Sequence, residues 1–159
     1  MNEQAMQSIV EAVVSRIKLG DITLDDARAL AEKVRRRAAQ MGVKAVVAIS
    51  NRAAHPVLVE SMDDAYIASY DIALNKSFTS VSLKMSTATL KPLASPGGSL
   101  YGIQFTNNGK IVIFGGGETL CNGTGEIIGG LGVSGGSEEQ DALLSAYGAS
   151  VLEEIMKGE

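Results

Sequence analysis

Gly130-Leu131-Gly132-Val133-Ser134-Gly135 spells G-x-G-x-x-G, the spacing that lets a backbone close around a pyrophosphate. Two further glycine groups, Gly115-Gly116-Gly117 and Gly135-Gly136, offer backbone N–H groups of the kind that line an anion-binding concavity. Lys76 and Thr79 stand one helical turn apart in "ALNKSFTS", so a cation and a hydroxyl share a face and suit a carboxylate at the mouth of a pocket. The bland alternative is a surface lysine whose stem lies along apolar residues. His55 is the only histidine, which excludes a multi-histidine metal site. Cys121 is the only cysteine, which excludes an internal disulfide and a cysteine-rich metal site. A Ser or Cys nucleophile needs a base and an orienting third group. His55 is the single base on offer, so no catalytic residue is assigned.

The elements that must position these residues follow from periodicity. Met6, Ile9, Val10, Val13, Val14 and Ile17 form one stripe of an amphipathic helix over Glu3 to Leu19. Thr23 starts a second helix that ends near Met41, with Asp26 as a short-armed relative of the capping-box acid. "AVVAIS" (Ala45 to Ser50) reads as a buried strand, Asn51 to Ala54 as a turn, and Pro56 to Val59 as the returning strand. A third helix is expected from about Asp64 to Leu83, carrying Tyr66, Ile67, Tyr70, Ile72, Ala73, Phe78 and Val81. A short helix or turn over Ser86 to Leu93 runs into the loop "SPGGSLYG". Ile103 to Phe105 and Ile111 to Phe114 flank Asn107-Asn108-Gly109-Lys110 and read as a second hairpin. "GGGETLCNGTGE" reads as a glycine loop, Ile127 to Val133 as a strand, and Ser137 to about Met156 as a helix capped by Gln140. The order α-α-β-β-α-β-β-β-α predicts one antiparallel sheet covered by helices.

That placement excludes the dinucleotide reading. A pyrophosphate site needs the glycines after the strand, with the helix beginning inside the motif. Here the apolar run "IIGGLGV" passes through Gly129, Gly130 and Gly132, and the helix waits until Ser137. Glycine within a strand marks a bulge or a backbone packed tightly against something.

Bulk composition excludes other classes. The 159 residues suit one domain, and 45% hydrophobic with 20% charged residues is globular rather than disordered. Net charge of -4 lacks the basic excess of a nucleic-acid binder. Lys33 to Arg37 shares its helix with Asp25, Asp26 and Glu32 and reads as a solvated face. No apolar run approaches the roughly 20 residues that span a bilayer, and no signal peptide is recognisable. A cytoplasmic protein without nucleic-acid or membrane partners is expected.

The string "IVIFGGGETLCNGTGEIIGGLGVSGGSEEQD", with "TLDDARALAEKVRRRAAQMGVKAVVAIS", "ALNKSFTS", "STATLKPL" and "PGGSLYGIQFTNNGK", resembles the GlcG/HbpS family, also found as the C-terminal domain of PduO-type proteins. The resemblance covers about Thr23 to Ala146. It divides the chain into a helical extension over residues 1–22 and a family domain over residues 23–159. It implies a profilin-like three-layer α/β/α domain, of mixed α/β (α+β) class, with a five-stranded antiparallel sheet. Two positions depart from the family pattern. The first turn, usually of Asp-Ala-Gly-Gly type, is Asn51-Arg52-Ala53-Ala54, and the usual Arg-Met-Asp is Ser61-Met62-Asp63.

What the resemblance implies about function is a non-enzymatic accessory protein that binds haem or a corrinoid and serves diol, glycerol or glycolate metabolism. Its partners would be itself, as a homo-oligomer, and a cofactor-dependent enzyme. The candidate ligand contacts are Lys76, Thr79, Gly115, Gly116, Gly117, Gly135, Gly136 and His55, the last as a lone axial donor weighed against a partly solvated turn histidine. Met62, a weak thioether donor at best, reads as a gap-filler in a core or interface. Two rival readings stand beside it: a homo-oligomeric interaction module without a small ligand, and a small enzyme acting on a glycolate- or diol-like metabolite through Lys76.

Overall fold

A computed structural model describes residues 2–17 and 20–158. Among these described residues five α-helices and four strands follow one another as α1 (Glu3–Ile17), α2 (Leu24–Gln40), β1 (Val46–Asn51), β2 (Pro56–Ser61), α3 (Ser69–Leu83), α4 (Thr87–Ala94), β3 (Gly117–Cys121), β4 (Ile127–Ser134) and α5 (Glu138–Lys157). The strands form one antiparallel sheet in the order β2-β1-β4-β3. In α1, Met6, Ile9 and Val10 are about half exposed. The side chains of Val13, Val14 and Ile17, and Leu19 itself, lie outside the described residues.

Alternation along the two central strands sorts their side chains between layers. Val47 and Ile49 of β1, with Leu131 and Val133 of β4, pack under Leu30 and Val34 of α2 and Leu144 and Leu152 of α5. Each of these buried aliphatics contributes roughly 1.5–3 kcal/mol. Val46 and Ala48 face the other way and meet Ala73 of α3. The neighbouring inward positions of β4 are Gly130 and Gly132, and their bareness lets α3 rest directly on the strand. A Cβ on Gly132 would lie 1.9 Å from the Ala73 carbonyl oxygen, and one on Gly130 would lie 2.7 Å from that of Ser77. Ser77 Oγ then reaches the Gly130 carbonyl at 3.0 Å and Ser50 Oγ at 2.6 Å. The strand glycines are therefore a helix seat.

Both expected N-caps form. Thr23 accepts from the Asp26 N–H, and Ser137 and Gln140 complete a capping box on α5.

Four expectations need correction. The sheet has four strands, and the hairpin expected over Ile103 to Phe114 is absent. Ile103–Phe105 and Asn107–Gly109 are 3-10 turns, with Asn107 and Asn108 both at positive φ (51° and 57°). Ile111 and Val112 are buried, but Val112 N–H donates to Thr79 Oγ1 at 2.9 Å instead of to a strand. The fourth strand, β3, lies inside the stretch that composition marks as a glycine loop. Its Glu118 and Leu131 of β4 are register partners, as are Thr119 and Gly130. The third helix also begins at Ser69, five residues later than expected, after Asp64 at φ 61°. That leaves Tyr66 and Ile67 in a loop, 74% and 97% exposed.

Candidate functional site

The end of the sheet where β1 begins and β4 finishes carries a cleft of about 340 Å³. Its apolar walls are Tyr66, Ile72 and Phe114, and its polar floor is Ser69, Ser134 and Asp141. Ser134 Oγ donates to Ser69 Oγ at 3.0 Å, tying the end of β4 to the first residue of α3. Gly135 and Gly136 complete the rim. A Cβ on Gly135 would stand 2.3 Å from the Lys44 carbonyl oxygen, so only glycine lets β4 leave the sheet here.

Beneath the cleft lies a buried ion pair. Lys76 Nζ is fully buried and donates to Asp141 Oδ2 and to the Val133 carbonyl, both at 2.9 Å. The Phe114 ring covers it, with its centroid 4.8 Å from Nζ. Asp141 Oδ1 in turn accepts from Gly136 N–H at 2.9 Å. Burial pushes the Lys76 ammonium below the ordinary lysine range, and Asp141 and then Glu138 pull against that shift. Gly116, at φ 118°, makes room for this pair, since its Cβ would meet Lys76 Nζ at 2.5 Å.

Several expected contacts are thereby reassigned. Lys76 does not sit at a pocket mouth; its ammonium is spent inside the domain. Thr79 is fully buried, and its Oγ1 donates to the Asn75 carbonyl (2.7 Å) or the Lys110 carbonyl (3.2 Å) while accepting from Val112 N–H. Its role is to pin the 110–112 segment to α3. Three of the five glycine N–H groups read as free are engaged: Gly115 with Glu138 Oε1 (3.0 Å), Gly117 with Thr87 Oγ1 (2.9 Å) and Gly136 with Asp141 Oδ1 (2.9 Å). Lys91 and the Gly115 N–H hold the Glu138 carboxyl below the usual range. Met62 Sδ accepts from Ala45 N–H at 3.3 Å and packs against the main core, in keeping with its reading as a gap-filler.

His55 is exposed in the β1–β2 turn. Val46 of β1 pairs with Ser134 and Asn51 with Gly129, so five strand steps, about 16 Å, separate the cleft from that turn. His55 and the glycines at the rim cannot serve one small ligand. The cleft residues missed by sequence reasoning are Tyr66, Ser69, Phe114, Ser134 and Glu138. In a chain with only 4% aromatics, Tyr66 beside two acids and Phe114 before a glycine triplet were the available signal.

Two more concavities continue along the same sheet end. The larger, about 790 Å³, is bordered by Arg35, Lys44, Glu60 and the Ser61–Asp64 stretch. Both of its cations are paired, Lys44 with Asp64 at 2.9 Å and Arg35 with Glu32 and Glu60. The aromatic cleft, with apolar walls and convergent buried polar groups, is the better ligand site. No group of three or more His, Cys, Asp or Glu among the described residues is arranged to hold a metal ion. No described helix is long and apolar enough to cross a membrane.

Fold and cleft together define a three-layer α/β domain with an aromatic-walled site at one end of an antiparallel sheet. The chain belongs to the family described as haem degrading protein, HbpS-like, whose model matches residues 22–150. It is 39% identical over 139 residues to an uncharacterised 15.0 kDa protein from the dhaT-dhaS intergenic region of Citrobacter freundii, covering 87% of this chain and 96% of that one. It is also 38% identical over 120 residues to the corrinoid adenosyltransferase PduO of Salmonella typhimurium, covering 76% of this chain. The match takes in only 35% of that longer protein. Among solved structures it is similar to a PduOC:heme complex, with 35% identity, a TM-score of 0.78, and coverage of 82% of this chain and 94% of that one.

Proposed function

We propose that this chain is a non-enzymatic accessory protein that binds haem, with a corrinoid as the alternative tetrapyrrole, in the cytoplasm and as a homo-oligomer. The observation that carries the reading is the cleft itself, where the aromatic side chains Tyr66 and Phe114 stand beside Ile72 over a hydrogen-bonded floor. Flat macrocycles are held by such faces, and offset ring stacking contributes about 0.5–1.5 kcal/mol beyond burial. Membership of the HbpS-like family and similarity to a chain crystallised with haem support it. The likeness to PduO is what supports a role in diol or glycerol metabolism beside a cofactor-dependent enzyme.

The residues present fit the group on one face. A cleft of about 340 Å³ is at the lower end of ligand pockets, so Tyr66, Ile72 and Phe114 would hold part of the macrocycle rather than enclose it. If haem were bound, the oxygen donor available at the cleft would be Tyr66 and the nitrogen donor at the far end of the sheet would be the exposed His55 imidazole. Bound haem would supply an iron centre whose open positions accept such oxygen or nitrogen donors.

Titrating the purified chain with haemin, and separately with cobalamin, tests the proposal by absorbance. We expect a saturable shift of the haem bands at micromolar ligand, weakened about tenfold in Phe114→Ala as the ring contact is lost. Tyr66→Phe keeps the ring and removes the oxygen, so it should alter band position more than affinity. His55→Ala should leave both unchanged. No saturable shift with either ligand would overturn the reading.

A further inference from the structure

We propose that the opposite end of the sheet carries a second, independent ligand site, in which Arg52 and Lys84 hold the carboxylate or phosphate of a small molecule. The groove there, about 330 Å³, is lined by Arg52, Val81, Lys84, Glu126 and Ile127. Every other basic side chain from residue 20 to residue 158 has a partner. Arg28, Lys33, Arg35, Arg36, Lys44, Lys76, Lys91 and Lys157 are in ion pairs. Arg37 bonds Gln40, and Lys110 lies over the Phe78 ring. The two cations left without any partner converge on one concavity.

The groove is built to keep them there. Arg52 sits in the β1–β2 turn, where its own N–H donates to Asp21 Oδ1 at 2.7 Å. Asn51 Oδ1 organises the rest of that turn by accepting from Ala53 and His55 N–H, both at 3.0 Å. Lys84 ends α3 in the left-handed region (φ 54°, ψ 40°). The last carbonyls of α3 are already capped by the backbone N–H groups of Lys84 and Met85, so its ammonium is not needed as a cap. Across the groove the β3–β4 turn is fixed by Asn122 Oδ1, which accepts from Thr124 and Glu126 N–H at 3.0 Å. Glu126 is the one acid on the wall, and its carboxylate is turned to Asn122 Nδ2 (3.2 Å) rather than to either cation. On the wall itself two positive charges face one negative, while the Asp21 carboxylate is held on the Arg52 backbone N–H rather than on its guanidinium. The Arg52 fork supplies paired donors for an oxyanion, Lys84 a point charge, and Val81 and Ile127 an apolar floor for the rest of the molecule.

The site does not depend on haem binding. Its test is a titration of the ¹⁵N-labelled full chain with sodium phosphate, and separately with sodium succinate, at low ionic strength. We expect saturable amide shifts confined to residues 51–55, 84–86 and 122–127. The Arg52→Gln/Lys84→Gln double variant should weaken them about tenfold or more, as charge-assisted hydrogen bonds are lost, while Lys44→Gln binds as the parent does. Both replaced residues are exposed, and the dispersion of the variant's spectrum reports that it is folded. The tighter of the two probes identifies phosphate or carboxylate as the recognised group. Unsaturable or scattered shifts with both probes, or shifts that survive in the double variant, would overturn the site.

Discussion

Gly132→Ala is the sharpest perturbation this fold offers, because one methyl group tests how α3 sits on the sheet. The added Cβ would lie 1.9 Å from the Ala73 carbonyl oxygen and 2.7 Å from the Ser77 nitrogen. Ordinary contact begins at 3.4 Å, so α3 must retreat by about 1.5 Å (3.4 − 1.9). Both clashing atoms are backbone, so no rotamer change relieves them, and Ala73→Gly in the same chain gives no rescue. Overpacking of this kind costs roughly 1–3 kcal/mol. The retreat also strains the bonds from Ser77 Oγ to Gly130 and Ser50, at about 0.5–1.5 kcal/mol each. The expected loss is therefore about 2–6 kcal/mol, against about 5–15 kcal/mol for a whole domain. Urea unfolding should show it as a lower midpoint, and a loss of about 4 kcal/mol lowers Tm by roughly 8–16 °C at this chain length. Gly123→Ala is the control, since its Cβ meets only the Glu153 carboxylate, at 3.7 Å. A Gly132→Ala protein within about 1 kcal/mol of the parent would refute the direct seating of α3 on β4.

The buried pair and one half-buried acid give two more predictions. Lys76→Met leaves the Asp141 charge buried with only Gly136 N–H beside it, which should cost about 3–5 kcal/mol in urea unfolding. Lys76→Met/Asp141→Asn should recover much of that, because no charge then stays buried; equal losses in both variants would contradict the account. Burial raises the Glu118 carboxyl above the ordinary glutamate value. The folded state thus holds that proton more tightly than the unfolded chain. Its stability contribution is full below the ordinary value of about 4.5 and is lost as pH rises through the raised one. Glu118→Gln should therefore gain stability relative to the parent between acid and neutral pH, and parallel urea midpoints across that range would rule the coupling out.

What the sequence determined by itself rests on interactions a few residues long. Thr23 with Asp26 and Ser137 with Gln140 start their helices through bonds within one turn, so composition at three-residue spacing was enough. The apolar run through Gly129, Gly130 and Gly132 placed those glycines in a strand, and that alone removed the dinucleotide reading. Residues with two competing local descriptions needed the tertiary structure. "GETLC" is glycine-flanked and short, and becomes β3 only because β4 offers it an edge. Ile111 to Phe114 is strand-like by type, but Thr79, on a helix more than 30 residues earlier in the chain, takes the hydrogen bonds a neighbouring strand would have used.

The same limit governs the sites. Lys76 was visible as a chemically capable residue, and its helical neighbour Thr79 with it. Whether a lysine faces water or Asp141, 65 residues away, depends on how α3 and α5 dock across the sheet, which no local pattern encodes. Tyr66 and Phe114 meet around one cleft, and Arg52 and Lys84 around another, because antiparallel pairing brings the ends of distant strands together. Residue types set out what chemistry was available, and long-range packing chose which of them remained free to perform it.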